Sequence, residues 1–265
     1  MAESLLTPDV GRAIAKARKA FARYKLGGRI TVCMCPSCVG PDQVRALIET
    51  PRDGISAELL AEYTHSAHGW DERVADDFRY LLPRYFELVA IGQTPAHFGP
   101  ELGLARLANV AYREQWPQAE ADAIDEFFLA LFQAQILAPA TFVEDASGQS
   151  AFDREEAEAV LCGVAQAGGE VTPLLAMWDA TRTRDADLRL ARMIVSSNSA
   201  RHELANSWWA HLNKPHVLRA QELVFGWLAR EAVRERLENA CLREANAVAG
   251  LLLSQAEEMA CSIIP

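Results

Sequence analysis

The chain reads as an all-α protein, either a multi-helix bundle or an irregular α-solenoid, and three observations predict it. Apolar residues recur at i, i+3, i+4 and i+7 in one segment after another. No stretch alternates apolar and polar residues over a useful length, as a half-buried strand would. Gly, Pro and Asn breaks fall between runs of helical length. Half of the 265 residues are hydrophobic and 23% are charged, which is the balance of a folded chain rather than a disordered one.

The strongest signal is 76–90, DDFRYLLPRYFELVA. Phe78, Leu81, Leu82, Tyr85, Phe86 and Val89 share one face, with Leu88 beside them. Arg79, Tyr80, Pro83, Arg84 and Glu87 project to the other, which predicts an exposed polar side. Arg84 and Glu87 are spaced for an i, i+3 pair. Arg79 and Arg84 are accordingly candidates for a partner-docking face, against the simpler reading of a core helix.

The other elements follow in order. Pro8 to Tyr24 predicts a helix that Leu26-Gly27-Gly28 stops. Residues 29–33, RITVC, are the one β-type segment, long enough only for a short arm. Pro41 sits where a first-turn proline belongs and opens a helix to about Glu49. Ser56 caps the next, which reaches about His68. Beyond the 76–90 helix, a helix is predicted over Leu102–Arg113. Another opens at Pro117 and carries Ile124, Phe127, Phe128, Leu131, Phe132 and Ile136 on one stripe. Helices are then expected near 152–167, 171–181, 185–197, 200–212 and 216–232, with one or two more to about 262. Residues 1–265 read as a single helical domain, with a candidate subdomain break at 138–150, APATFVEDASGQS.

Charge and composition bound the function. The net charge is −10, which argues against nucleic-acid binding and favours a basic partner. Residues 1–30 hold seven basic side chains against Glu3 and Asp9, which predicts a first helix laid on acidic neighbours. No apolar run approaches the roughly 18 residues of a membrane span, and the N-terminus lacks the apolar core of a secretory signal. Six cysteines, three of them crowded together, do not form a disulfide framework. The expected compartment is the cytoplasm.

The sharpest chemical pattern is Cys33-Met34-Cys35-Pro36-Ser37-Cys38. Three thiols around one turn can converge on a soft ion such as zinc, and His65 or His68 would supply the fourth ligand. Against a standard zinc knuckle, the second CxxC is missing. The alternatives are packing of small apolar side chains and a thiol-redox role for the C-x-x-C pair. Glu62-Tyr63-Thr64-His65 is a single E-x-x-H, where a di-iron bundle needs two. The phosphate-loop, dinucleotide, hydrolase-elbow and zincin motifs are missing, so a non-enzymatic role is favoured. Trp208 and Trp209 are adjacent and cannot both point inward on one helix, which marks one of them as the edge of a partner-binding groove.

CPSCV, AEYTHSAHGW, DDFRYLLPRYFELVA and SWWAHLNKPHVLRAQELVFGWLAREAVRERLENA resemble an uncharacterised group of bacterial all-helical proteins with a CPxCV turn and an FRxxLPRxxEL helix. The likeness covers most of the chain beyond residue 30. It implies one helical architecture in a bacterial cytoplasm, and no activity, cofactor or catalytic residue. The residues themselves favour a helical protein-binding protein, in its sharpest form an immunity protein that sequesters a basic toxin. The competing expectation is a zinc-binding or thiol-redox protein centred on the cysteine turn.

Overall fold

The computed structural model describes residues 4–33, 35, 38–66, 72–97, 103–140, 142–144, 150–152, 156–197, 204–209, 214–261 and 263. It is all-α, as the periodicity predicts. The helices are α1 (Pro8–Ala20), α2 (Pro41–Glu49), α3 (Ala57–His65), α4 (Glu72–Ala90), α5 (Arg106–Asn109), α6 (Tyr112–Gln115), α7 (Gln118–Leu137), α8 (Glu156–Gln166), α9 (Thr172–Ala180), α10 (Arg184–Ser196), α11 (Pro215–Leu228), α12 (Glu231–Arg243) and α13 (Ala247–Ala260). A short antiparallel hairpin pairs β1 (Phe142–Glu144) with β2 (Ser150–Phe152). No helix among the described residues is long and apolar enough to cross a membrane.

The chain folds as two compact units, Met1–Leu131 with Gln166–Gly169, and Phe132–Ala165 with Glu170–Pro265. The division falls inside α7, and residues 138–150 lie within the second unit, where the hairpin forms.

In the first unit α4 is the central element. Phe78, Leu81, Leu82, Tyr85, Phe86 and Leu88 are each at most 1% exposed, and α1, α3 and the 3-10 turn Arg52–Gly54 pack on this helix. Phe86 stacks on Phe127 with ring centroids 3.9 Å apart. The other side of α4 is not the solvated face expected from the sequence. Pro83 and Asp77 are buried, and Asp76 alone of residues 74–90 is exposed. Asp77 accepts the Thr31 N–H at 2.7 Å. The helix is covered on both sides because partners distant in the chain satisfy its polar groups. Gly103 lies so close to Tyr85 that an added Cβ would sit 2.8–2.9 Å from two ring carbons, so only glycine fits there.

The basic first helix meets acidic neighbours as its charge predicts. Lys16 pairs with Glu126, Arg18 with Glu87 and with Asp53 at 3.1 Å, and Arg23, just past the helix, with Glu120 at 2.6 Å. The predicted Leu102–Arg113 helix is broken. Ala111 takes φ 44°, a left-handed conformation unfavourable for a residue with a Cβ, and separates α5 from α6.

Residues 29–33 form no strand. Their β-branched side chains match a strand, but the Thr31 and Cys33 amides donate to side chains from α4 and the end of α3, not to a ladder. In place of the helix expected at 200–212, the described part is a 3-10 turn, Ser207–Trp209.

In the second unit α13 packs on α10 and α12. Trp178 is fully buried, donates to the Ala186 carbonyl at 3.1 Å, and lies 5.4 Å from both Phe132 and Trp227. Arg236 and Asp187 form a buried ion pair at 2.6 Å.

Candidate metal centre

The turn between residues 33 and 38 is held at both ends. The Cys33 N–H donates to Ser66 Oγ at 2.6 Å. On the other side Val39 is 2% exposed, and the Gly40 N–H donates to Gln43 Oε1 at 2.7 Å as α2 begins. Within the turn the Cys38 N–H donates to the Cys35 carbonyl at 3.1 Å.

This anchoring gathers the thiols. The three sulfurs of Cys33, Cys35 and Cys38 lie within 4.8 Å of one another. Cys35 is exposed, and Cys33 and Cys38 are half-buried. Among the described residues no other three His, Cys, Asp or Glu side chains gather their donor atoms so tightly. Zinc–sulfur bonds of about 2.3 Å in a tetrahedron place sulfurs about 3.8 Å apart. The spacing and chemistry of the donor set therefore fit a thiophilic ion with small side-chain adjustment.

Ser66 is fixed in turn by a buried arginine. Arg106 Nη2 donates to the Ser66 carbonyl at 2.7 Å and also to the Thr64 carbonyl. Burial pushes the Arg106 pKa down to about 10, so the guanidinium stays charged at neutral pH. Thr64 Oγ1 also donates to the Pro95 carbonyl at 2.9 Å. Two carbonyls that α3 leaves at its C-terminal end are thus satisfied by a cation, which also suits the negative end of the helix dipole.

The other sequence candidates are placed as follows. His65 is exposed at the last residue of α3 and does not join the tight sulfur group. His68 lies outside the described residues, as does the side chain of Trp208. Trp209 is buried and donates its indole N–H to Glu158 Oε1 at 3.1 Å. Arg79 retains 14% of its side-chain exposure and Arg84 19%. Arg79 lies 3.2 Å from Glu120 and over the Trp116 ring. Arg84 donates to the Ile55 carbonyl at 2.8 Å and pairs with Glu87 at 3.1 Å. Both half-buried guanidinium groups are engaged by partners within the first unit. Ser66, Arg106 and His97, which adjoin the cysteine turn or the end of α3, carry no motif that singles them out in the sequence.

Fold and site together define a class, an all-α protein bearing a surface turn of three converging thiols. Comparison with protein-family models, curated proteins and solved structures returns no match.

Proposed function

We propose that the protein binds a thiophilic metal ion, zinc first, through Cys33, Cys35 and Cys38. The observation that carries this reading is the approach of three sulfurs to within 4.8 Å on a turn anchored at both ends. Soft thiolates select zinc over harder ions, and bound zinc would lock the turn while releasing the thiol protons. The role is binding rather than catalysis. Elemental analysis of the full chain, purified without chelators under reducing conditions, is expected to find stoichiometric zinc, lost in Cys35→Ser. Metal-free wild-type protein that refuses added zinc would overturn the reading, and a Cys35–Cys38 disulfide in that protein would point to thiol redox instead.

A second reading is capture of a basic protein partner, such as a toxin, at the corner between α12 and α13. Leu242, Leu251 and Val248 are 79%, 62% and 41% exposed there. Glu238 stands one turn before Leu242 and Glu258 two turns after Leu251, both exposed, so carboxylates flank the apolar patch. Calorimetric titration with the basic product of a neighbouring gene is expected to show binding that Leu242→Asp with Leu251→Asp weakens about 30-fold or more. Unchanged affinity would remove this corner from consideration.

A further inference from the structure

A second donor set lies beside the thiol turn, on the last turns of α3. Glu62 and His65 stand three residues apart on that helix, and His97, from the segment after α4, comes against both. His97 Nε2 lies 3.4 Å from Glu62 Oε1. The rings of His65 and His97 meet edge to face, with centroids 5.0 Å apart and planes at 85°. Water reaches all three: His65 is exposed, and the His97 and Glu62 side chains keep 43% and 23% of their exposure.

Solvent-screened ion pairing alone gives such a cluster little stability. The donor chemistry is more specific. Two imidazoles and one carboxylate, with positions left open to solvent, are a set that first-row divalent ions accept. Donors 2.0–2.2 Å from a common ion are about 3–3.5 Å apart, and the Glu62–His97 pair already has that separation. His65 is exposed and sets its ring against that of His97, with centroids 5.0 Å apart, so its nitrogens would have to close in on binding an ion. We propose that Glu62, His65 and His97 form a divalent transition-metal site separate from the thiolate turn. The nitrogen–oxygen set is harder than three thiolates, so the two sites differ in the ions they prefer. Between them stands Ser66, whose neighbour His65 serves the second site while its own hydroxyl holds Cys33.

Cobalt(II) titration of the full-length chain, reduced and under argon, separates the two sites. Cobalt on thiolates shows intense sulfur-to-metal charge-transfer bands, and cobalt on imidazole and carboxylate shows only weak ligand-field bands. A chain carrying Cys33→Ser, Cys35→Ser and Cys38→Ser is expected to keep a full equivalent of cobalt with ligand-field bands alone. His97→Ala added to that chain is expected to abolish it. If the triple-serine chain does not fold, wild type and His97→Ala are compared directly, and the variant must bind an equivalent less while keeping every charge-transfer band. The proposal is overturned if the triple-serine chain folds and takes up no cobalt, or if uptake survives His97→Ala. Failure of the thiolate reading would show differently, as missing charge-transfer bands in wild type.

Discussion

Arg236→Ala is expected to destabilise the second unit by about 3–5 kcal/mol, the range for removing one partner of a buried ion pair. Arg236 and Asp187 keep 2% and 4% of their side-chain exposure, and Nε donates to Oδ1 at 2.6 Å. The other guanidinium nitrogens donate to the carbonyls of Trp178 and Thr181, each at 2.7 Å. The cation therefore lies at the C-terminal end of α9 and the anion in the first turn of α10, each where the helix dipole favours its sign. Burial pulls the Arg236 pKa below its ordinary value, and Asp187 draws it back up. Alanine leaves a carboxylate in the interior, with Arg243 at 3.6 Å as its remaining cation. It also removes the guanidinium donors from the Trp178 carbonyl, which keeps the Thr181 N–H at 3.1 Å, and from the half-buried Thr181 carbonyl.

The pair as a whole contributes less than either half suggests, because desolvation of both charges opposes their attraction. Asp187→Leu with Arg236→Met is accordingly expected to fall within about 2 kcal/mol of wild type, well above either single variant. Hydrogen exchange at the amides of α10 and α12 reads both effects. A single-variant loss below about 1 kcal/mol would show that Arg243 and water compensate, and that the pair is not a keystone of this unit.

The helices were legible because burial follows the 3.6-residue period. The ladder from Phe78 to Phe86 in α4 and the stripe from Ile124 to Ile136 in α7 are buried as their spacing requires. What failed was the inference that the second face of α4 meets water. Pro83 and Asp77 are buried there because Thr31 comes from a segment 46 residues away from Asp77, and Arg84 finds a carbonyl 29 residues away. No periodicity encodes such partners. The segment at 29–33 misled for a related reason, since β-branched composition reports a fit to a pleated surface and not the presence of a partner strand. Conversely, the pairing of Phe142–Glu144 with Ser150–Phe152 hides in a stretch whose Gly, Ser and Asp residues read as a linker. The three cysteines were visible as a cluster because they are neighbours in sequence. His97 was not, because Glu62-x-x-His65 shows only the part of its cluster that one helix carries. Arg106 and Ser66 were invisible, since a buried arginine that donates to carbonyls leaves no pattern in its own surroundings.

Arg106→Met is the sharper test of how the fold serves the thiol turn, and it rests on the zinc reading. The substitution keeps most of the side-chain volume and removes the cation. Its effect on stability is the difference of two opposed quantities. The Thr64 and Ser66 carbonyls lose charged donors, while a guanidinium whose burial costs enough to push its pKa down to about 10 no longer needs to be desolvated. The net loss is expected to be about 1–3 kcal/mol. Zinc affinity is expected to fall by about 10–100-fold, the range for residues that orient metal ligands without touching the metal. The route runs from Arg106 through Ser66 to the Cys33 amide, so Ser66→Ala is expected to reproduce the affinity loss with a stability loss of only about 1 kcal/mol. Competition with a chromophoric zinc chelator measures the affinities, and urea denaturation of the metal-free chains measures the stabilities. Equal affinity in Ser66→Ala and wild type would break the route at its middle link, leaving Arg106 as a stabiliser of the end of α3 with no part in placing the thiols.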